Sequence, residues 1–459
     1  MPGRPRTQIF LASTLYGAAT LAAALDADLF APADRRLLLI ANNAMTPETS
    51  PALDAMPGFA RLRDRFDGVL SWNETIRPFH PGGWSPRPND VPLWERHLRL
   101  LWELGDDEVA LVLESIQVNP AQALAQLFPG APIDVYADGL MSYGPTRDKL
   151  DPLIGTRIDR VLHLDLVPGL APLLLTEFGV APQIVPGDAV TMVLAELADE
   201  SEALGELAGV PQGAALLLGQ YLSALSILTP QEEEELHVRM VRGAVERGHR
   251  TLVFKPHPSA PARWSRMLER EAERLGVALT VLDRPVLAEA LYQRARPALV
   301  VGCFSTALLT AATLFDLPVA RTGTGLLLDR LTPYQNSNRM PVTLVDALVP
   351  DLADRGAAPR TLATPADVGP LVTAVGYAMQ HQIYPQLRPA AERYLAAHLD
   401  AYTRRYFKRR RLTALALPGA LPSQLAFLPR NAALRRVARR ARSAQRRLRQ
   451  RRLKKWAAA

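Results

Sequence analysis

The chain has 459 residues, enough for two or three domains that each bury a core. Hydrophobic residues at 48% and charged residues at 22% describe an ordinary soluble globular protein, and no stretch reaches the ~20 apolar residues of a membrane span. One cysteine, Cys303, excludes an internal disulfide framework and a cysteine-rich metal site; inside an apolar run it reads as a packed thiol in a reducing compartment. The formal net charge of +7 misleads, because thirteen Lys and Arg and no acid lie between Arg430 and Lys455, so that the rest of the chain carries −6. A mildly acidic body with a basic appendage is not the charge distribution of a nucleic-acid-binding fold, and no nucleic-acid partner is expected.

The first half alternates strand and helix signals. Arg4 and Arg6 before an apolar run from Ile9 to Leu25 have the look of a secretion signal, but Gln8, Ser13, Thr14 and Tyr16 interrupt it. A strand through Ile9-Phe-Leu-Ala12 and a helix opening at Gly17 are expected instead. Strands follow at Arg36–Ala41, ending on Asn42-Asn43, and more weakly at Val69–Trp72. Residues 76–92 are crowded with Pro and Gly and form a loop, and Leu93–Leu104 is helical by spacing. Val109–Leu113 ends at Glu114-Ser115, Ala121–Leu127 is a helix, and Ile133–Tyr136 ends at Ala137-Asp138-Gly139. Arg160–Leu166 and Pro182–Val185 complete the strands. Such alternation predicts a parallel sheet covered by helices on both faces.

Glu196–Gln212 reads as an interdomain linker of Glu, Gly and Ala. A second alternating set begins with a strand at Ala214–Gln220. Thr229-Pro-Gln-Glu232 is a capping box that opens a helix to Gly248. A strand ending at His257, a helix over Arg263–Leu275, a strand at Ala278–Leu282, a helix from Val286 and a strand ending at Cys303 follow. Val319 starts one more short segment, and residues 366–412 are helical. The fold class is α/β: two doubly wound lobes, 1–205 and 206–385, with a cleft between them, then a helical region and basic tail over 386–459. Ligands of such lobes sit at the carboxyl ends of the strands.

Two strand ends in the second lobe suit an anion. Lys255-Pro-His-Pro258 closes one, offering an ammonium and an imidazole held between prolines. Gly302-Cys-Phe-Ser305-Thr306 turns the other into an apolar helix, where hydroxyls and free backbone N–H groups meet; a plain helix cap is the other reading of that pair. In the first lobe Asp138 stands just past a strand, either as a general base for a hydroxyl or in an Asp-Gly turn. Glu114, Asn42, Asn43, Ser13 and Thr14 also end strands there and are candidates for the acceptor side. His80-Pro81 lies in the loop without a strand before it and reads as loop stiffening or acceptor contact. Asp26-Ala-Asp28 has a metal-binding look but sits at the end of an apolar helix, where solvated charge fits better. No Walker A loop, H-E-x-x-H or paired CxxC occurs, so neither a metal nor a cofactor is expected.

With these residues in order, the chain resembles the bacterial sialyltransferases of GT-B fold, most closely the bacterial α-2,8-polysialyltransferase family. An acidic motif in the first lobe, a His-Pro and a Ser/Thr pair in the second correspond to Ala137-Asp138-Gly139, His257-Pro258 and Ser305-Thr306. Ala12–Leu21 and Ala41-Asn-Asn-Ala44 also look like that family, and the likeness covers roughly residues 7–380. The resemblance implies an inverting, metal-independent transfer of sialic acid, or a related nonulosonic acid, from its CMP-activated donor to a glycan hydroxyl. By carry-over Lys255, His257, Pro258, Ser305 and Thr306 would hold the departing CMP phosphate, with His257 catalytic, and the acidic motif would supply the base. The first acidic position is Ala137 here, which leaves the role to Asp138. A CDP-glycerol-type glycerophosphotransferase shares a His-Pro after a strand but usually carries an acid before the Ser pair, which Gly302-Cys-Phe-Ser305 lacks. A non-catalytic membrane-associated glycan- or nucleotide-binding protein is the third reading.

In the tail Leu434, Val437, Ala441, Ala444 and Leu448 make one narrow apolar stripe among arginines, with Trp456 beyond. The expectation is an interfacial helix over 430–456 on an anionic membrane, which places the protein in the cytoplasm on the inner face of the plasma membrane and suits a lipid-linked glycan acceptor in capsule or cell-surface glycan synthesis.

Overall fold

The computed structural model describes residues 4–258, 260–354 and 365–420, and the chain divides into two compact units, 1–407 and 408–459. The larger unit holds two parallel sheets. The first lobe runs β1 (Arg6–Ala12), α1 (Leu15–Asp26), β2 (Arg35–Ile40), α2 (Phe59–Arg63), β3 (Gly68–Ser71), α3 (Trp72–Thr75), α4 (Val91–Leu101), β4 (Glu108–Glu114), α5 (Ala121–Leu127), β5 (Ile133–Ala137), α6 (Pro152–Gly155), β6 (Ile158–Leu164), β7 (Ala181–Val185) and α7 (Gly187–Ala203). Its seven strands lie in the order β3-β2-β1-β4-β5-β6-β7.

The second lobe runs β8 (Ala215–Leu218), α8 (Pro230–Glu246), β9 (Thr251–Lys255), α9 (Ala262–Leu275), β10 (Ala278–Val281), α10 (Ala288–Arg294), β11 (Leu299–Gly302), α11 (Thr306–Phe315), β12 (Val319–Arg321), α12 (Thr324–Arg330) and α13 (Arg339–Leu348). Five strands lie in the order β10-β9-β8-β11-β12. α14 (Pro365–Gln380) and α15 (Arg388–His398) close the unit. This is the doubly wound two-lobe architecture expected.

The central strands read as unbroken apolar runs because both faces are covered. Ile9 and Leu11 of β1 point into a core with Leu39, Trp72, Leu98, Leu113 and Leu124. Phe10, between them, meets the rings of Phe30 and Phe66 edge-on at 5.0 and 5.4 Å on the opposite face. α8 starts with the predicted capping box: Thr229 Oγ1 accepts from the Glu232 N–H at 3.2 Å, and Glu232 Oε2 accepts from the Thr229 N–H at 2.9 Å, an arrangement worth about 1 kcal/mol.

Several boundaries differ from expectation. Half of the expected linker is helix, since α7 continues to Ala203 on a buried stripe of Leu197, Ala198 and Ser201, while Glu196 and Glu200 pair with Arg65 and Arg61. β9 stops at Lys255 rather than His257, because Pro256 has no N–H for the ladder. Asp26 is not merely solvated: it pairs with Arg65 at 2.6 Å.

In the smaller unit α16 (Arg409–Leu415) ends at Ala416, in left-handed conformation. The stripe from Leu434 to Leu448 lies outside the described residues. Among the described residues no helix is long and apolar enough to cross a membrane.

Candidate active site

In a parallel sheet the strand order reverses at one place, and the loops leaving the two strands there diverge to open a crevice. In the first lobe that place is between β1 and β4. Ser13, after β1, donates its N–H and its Oγ–H to Glu114 Oε2, at the end of β4, at 2.9 and 2.6 Å. Burial raises the Glu114 pKa and the two Ser13 bonds pull it back. Thr14 caps α1, accepting the Gly17 N–H at 2.9 Å.

Asp138 leaves the next strand, β5. Alternation sends Val135 and Ala137 into the core and leaves Tyr136 and Asp138 on the α1 side, over the bare backbone of Gly17. Tyr136 is pinned there, donating to the Leu11 carbonyl at 2.9 Å. Loss of water pushes the Asp138 carboxyl up to about 7; the charge of Glu114, and after it that of Glu289, act in the same direction. A carboxyl that titrates near neutrality suits a general base.

The second lobe reverses between β8 and β11. Gln220 bridges the reversal, its Oε1 accepting the Phe304 N–H at 3.1 Å. Ser305 caps α11, accepting the Ala307 N–H at 3.3 Å. Thr306 reaches across the cleft: its Oγ1 accepts the Leu140 N–H at 3.4 Å, so the Ser/Thr pair and the acidic motif touch. Tyr16 and Thr310 make a second crossing, hydroxyl to hydroxyl at 3.3 Å.

Lys255 and His257 emerge from the same edge of the same sheet as Ser305, on β9, which lies two strands from β11, a spacing of about 10 Å between the strands themselves. Lys255 Nζ donates to the Arg284 carbonyl at 3.2 Å. Desolvation lowers its pKa to about 8 against the pull of Glu289 and Asp283. His257 and Pro258 are exposed. Although one side of the ring is open to solvent, partial loss of water on the other and then the Lys255 charge hold the His257 imidazole below its usual value.

The remaining candidates have separate placements. Asn42 is committed to its own loop, donating to the carbonyls of Pro47 and Ser50 at 3.1 and 3.3 Å. Asn43 lines a small cavity with Glu114. His80 stiffens its loop, with Nε2 donating to the Ala44 carbonyl at 2.8 Å and Nδ1 accepting the Gly82 N–H at 3.1 Å.

Two residues of this centre were not read from the sequence. Glu289 is buried on α10, and its carboxyl is raised to about 7 by burial while Lys255 opposes the shift. Tyr16 feels both Glu289 and Asp138, and burial raises its phenol pKa. An acid inside the apolar run Val286–Leu291 was the available signal for Glu289. Tyr16 gave none beyond its break in an apolar stretch.

Residues 8–324 match the sequence model of a family described as alpha-2,8-polysialyltransferase. A search of curated proteins finds no match. Among solved structures, the GT-B domain of a Photobacterium damselae sialyltransferase aligns with 73% of this chain and 95% of its own at 12% identity and a TM-score of 0.40. A UDP-GlcNAc 2-epimerase from Methanocaldococcus jannaschii aligns with 69% of this chain and 83% of its own at 13% identity and a TM-score of 0.42. Phytolacca americana UGT2 aligns with 90% of this chain and 99% of its own at 13% identity and a TM-score of 0.40.

Proposed function

Because the chain belongs to the alpha-2,8-polysialyltransferase family and is a sialyltransferase-like glycosyltransferase, we propose that it moves sialic acid, or a related nonulosonic acid, from a CMP-activated donor to a glycan hydroxyl with inversion and without a metal. Asp138 takes the proton of the acceptor hydroxyl. The oxygen attacks the anomeric carbon from the face opposite the nucleotide. The bond from that carbon to the phosphate oxygen breaks, and CMP leaves with the electron pair.

Charge then grows on the phosphate, where preorganised donors lower the barrier most. Lys255 supplies a cation, His257 a ring N–H, and Ser305 and Thr306 hydroxyls at the positive end of α11. The observation that supports the reading is the contact of Thr306 with the backbone beside Asp138, which brings the start of α11 and a carboxyl raised to about 7 to one cleft. Together they match the two demands of the reaction, a base for the hydroxyl and a sink for phosphate charge.

Release of CMP from CMP-sialic acid by purified protein, with and without a glycan acceptor, tests it. Turnover of CDP-glycerol in its place, or no turnover of either, would overturn it. We further propose that residues 430–456 hold the enzyme on an anionic membrane surface, where a lipid-linked glycan is within reach.

A further inference from the structure

Asp346, buried on α13, gathers three separate pieces of chain. From the end of β12, Arg321 Nη1 approaches its Oδ1 at 3.2 Å. From the start of α12, Thr324 Oγ1 donates to the same oxygen at 2.6 Å. The third piece is the last turn of the larger unit, Thr403–Tyr406. There Tyr406 Oη donates to Asp346 Oδ2 at 2.9 Å, and Arg405 Nη1 donates to it at 3.3 Å. Arg321 Nη1 also donates to Thr324 Oγ1 at 2.8 Å, and Asp351, 2.7 Å from Arg321, balances the second cation. Two guanidinium groups and two carboxylates thus meet with no net charge, around a carboxylate that accepts from four groups.

What this hub ties down lies against the donor turn. β12 pairs with β11, Arg321 opposite Gly302. The Thr322 N–H donates to the Gly302 carbonyl at 3.0 Å, and a β-carbon on Gly323 would stand 3.6 Å from Cys303 Sγ. Burial raises the Cys303 thiol pKa, and the charges that act on it after that belong to Arg239, Arg321, Glu233 and Asp346. Residues 321–324 therefore run along 302–303, and Ser305 and Thr306 follow directly in the chain. In the dry interior a satisfied carboxylate holds its partners firmly, and the loss of one donor is felt by the rest. Asp346, Arg405 and Tyr406 all lie past residue 324, where the match to the family model ends.

We propose that Tyr406 and Arg405 are positioning residues for the donor site: through Asp346 they hold residues 321–324 against the turn that presents Ser305 and Thr306 to the CMP phosphate. The inference rests on the reading of those two hydroxyls as phosphate ligands. A hub that served the fold alone would change the melting temperature and leave the affinity of the folded protein as it was.

The test is equilibrium binding of CMP to the full chain, well below the melting temperature of each variant. Tyr406→Phe removes one hydroxyl and keeps the ring. It should weaken CMP about 5-fold or more, the lower end of coupling between sites, and raise the donor KM while leaving the acceptor KM alone. Arg405→Met, at an exposed position, gives the same readout if Tyr406→Phe does not fold. Thr324→Val removes a hydroxyl from the other side of Asp346 and should act likewise, and Thr324→Ser should restore the affinity. In the double variant Tyr406→Phe/Thr324→Val the combined loss should fall short of the sum, because both act through one carboxylate. Phe407→Leu, a packing loss beside Tyr394 that leaves Asp346 its four donors, should melt earlier and bind CMP as wild type does. Unchanged CMP affinity in folded Tyr406→Phe or Arg405→Met, losses that add in full, or an equal loss in Phe407→Leu overturns the proposal. Wild type that binds no CMP sinks the donor reading as well, whereas wild type that binds CMP with an affinity these substitutions leave alone sinks only this inference.

Discussion

A β-carbon placed on Gly17 would stand 3.3 Å from Asp138 Oδ2, and 3.0 Å from both Tyr136 Oη and Thr14 Oγ1. The absence of a side chain at the second residue past Leu15 therefore sets how closely α1 approaches the carboxyl. Gly17→Ala gains helix propensity of about 1 kcal/mol and loses some of it to this crowding. The fold should survive with a melting temperature within a few degrees of wild type. Tyr136 is tied to Leu11, so Thr14 and Asp138 are the groups that give way. A displacement of tenths of an ångström at a reacting group is expected to lower kcat/KM about 10-fold. An unchanged rate in the alanine variant would show that Asp138 does not need its present place.

Asp138 also predicts a pH dependence. Its carboxyl must be ionised to take a proton, so kcat/KM should climb with pH and level off above about 7. Stability runs the other way. The folded carboxyl holds its proton up to about 7, whereas an unfolded aspartate releases it near ~3.9, so the fold loses stability as pH rises between those values. Glu289 is raised to about 7 as well and contributes in the same sense. Asp138→Asn should abolish transfer and flatten the slope of stability against pH without removing the Glu289 share. Transfer at the wild-type rate in Asp138→Asn excludes it as the base.

How far the site was visible beforehand can be judged from its parts. Strand ends announce themselves, because a buried parallel strand is an apolar run and the first polar residue after it faces the carboxyl edge. Asp138, Lys255, His257 and Ser305 are candidates on that ground. The motif leaves the role of base to Asp138 because its first position is Ala137, but it gives no side-chain direction; β5 turns Ala137 into the core beside Val135, so Asp138 is the residue of that motif on the α1 side. The contact of Thr306 with Leu140 spans 166 residues and no local signal reports it. Asn42 looked like an acceptor contact because an asparagine closing its own loop has the same composition as one facing a sugar.

Partial desolvation and then Lys255 hold the His257 pKa below its usual value. A bound phosphate favours the protonated ring, so CMP should raise the His257 pKa and CMP affinity should rise as pH falls toward 6. Titration of the ring proton by NMR, free and with CMP, measures this. His257→Ala is expected to cost about 100-fold in turnover, the scale for losing one preorganised donor at developing charge. A ring pKa that CMP leaves unchanged would remove His257 from the phosphate site.

Glu233 ties down the loop beside the His257 ring. Fully buried on α8, its carboxylate accepts the N–H groups of Leu222 and Ser223 at 2.5 and 2.7 Å. The loop it ties carries Gln220, which holds Phe304, and Tyr221, whose ring lies 6.3 Å from that of His257. A glutamine here accepts one N–H and sets its own N–H₂ against the other, a loss of about 1–3 kcal/mol. Glu233→Gln should weaken CMP binding about 10-fold in the folded protein, raise the donor KM and leave the acceptor KM alone. Gln220→Leu should reproduce the donor effect with a smaller change in melting temperature. If the glutamine variant only melts earlier, with unaltered CMP affinity below its transition, Glu233 serves the fold and not the donor.

The basic tail makes a prediction of a different kind. Thirteen cations between Arg430 and Lys455 face no acid in that stretch, and each cation near an anionic leaflet contributes about 1 kcal/mol until salt screens it. Truncation after Pro429 should release the protein from vesicles rich in phosphatidylserine or phosphatidylglycerol while sparing turnover on soluble acceptors. For the intact chain, raising salt from about 0.1 to 1 M shortens the screening length from about 10 to 3 Å and should reverse binding in part, the remainder belonging to the apolar residues Leu434, Val437, Ala441, Ala444 and Leu448. Vesicle sedimentation of both proteins across that salt range measures the two shares. Binding that survives the truncation would place the membrane contact elsewhere on the chain.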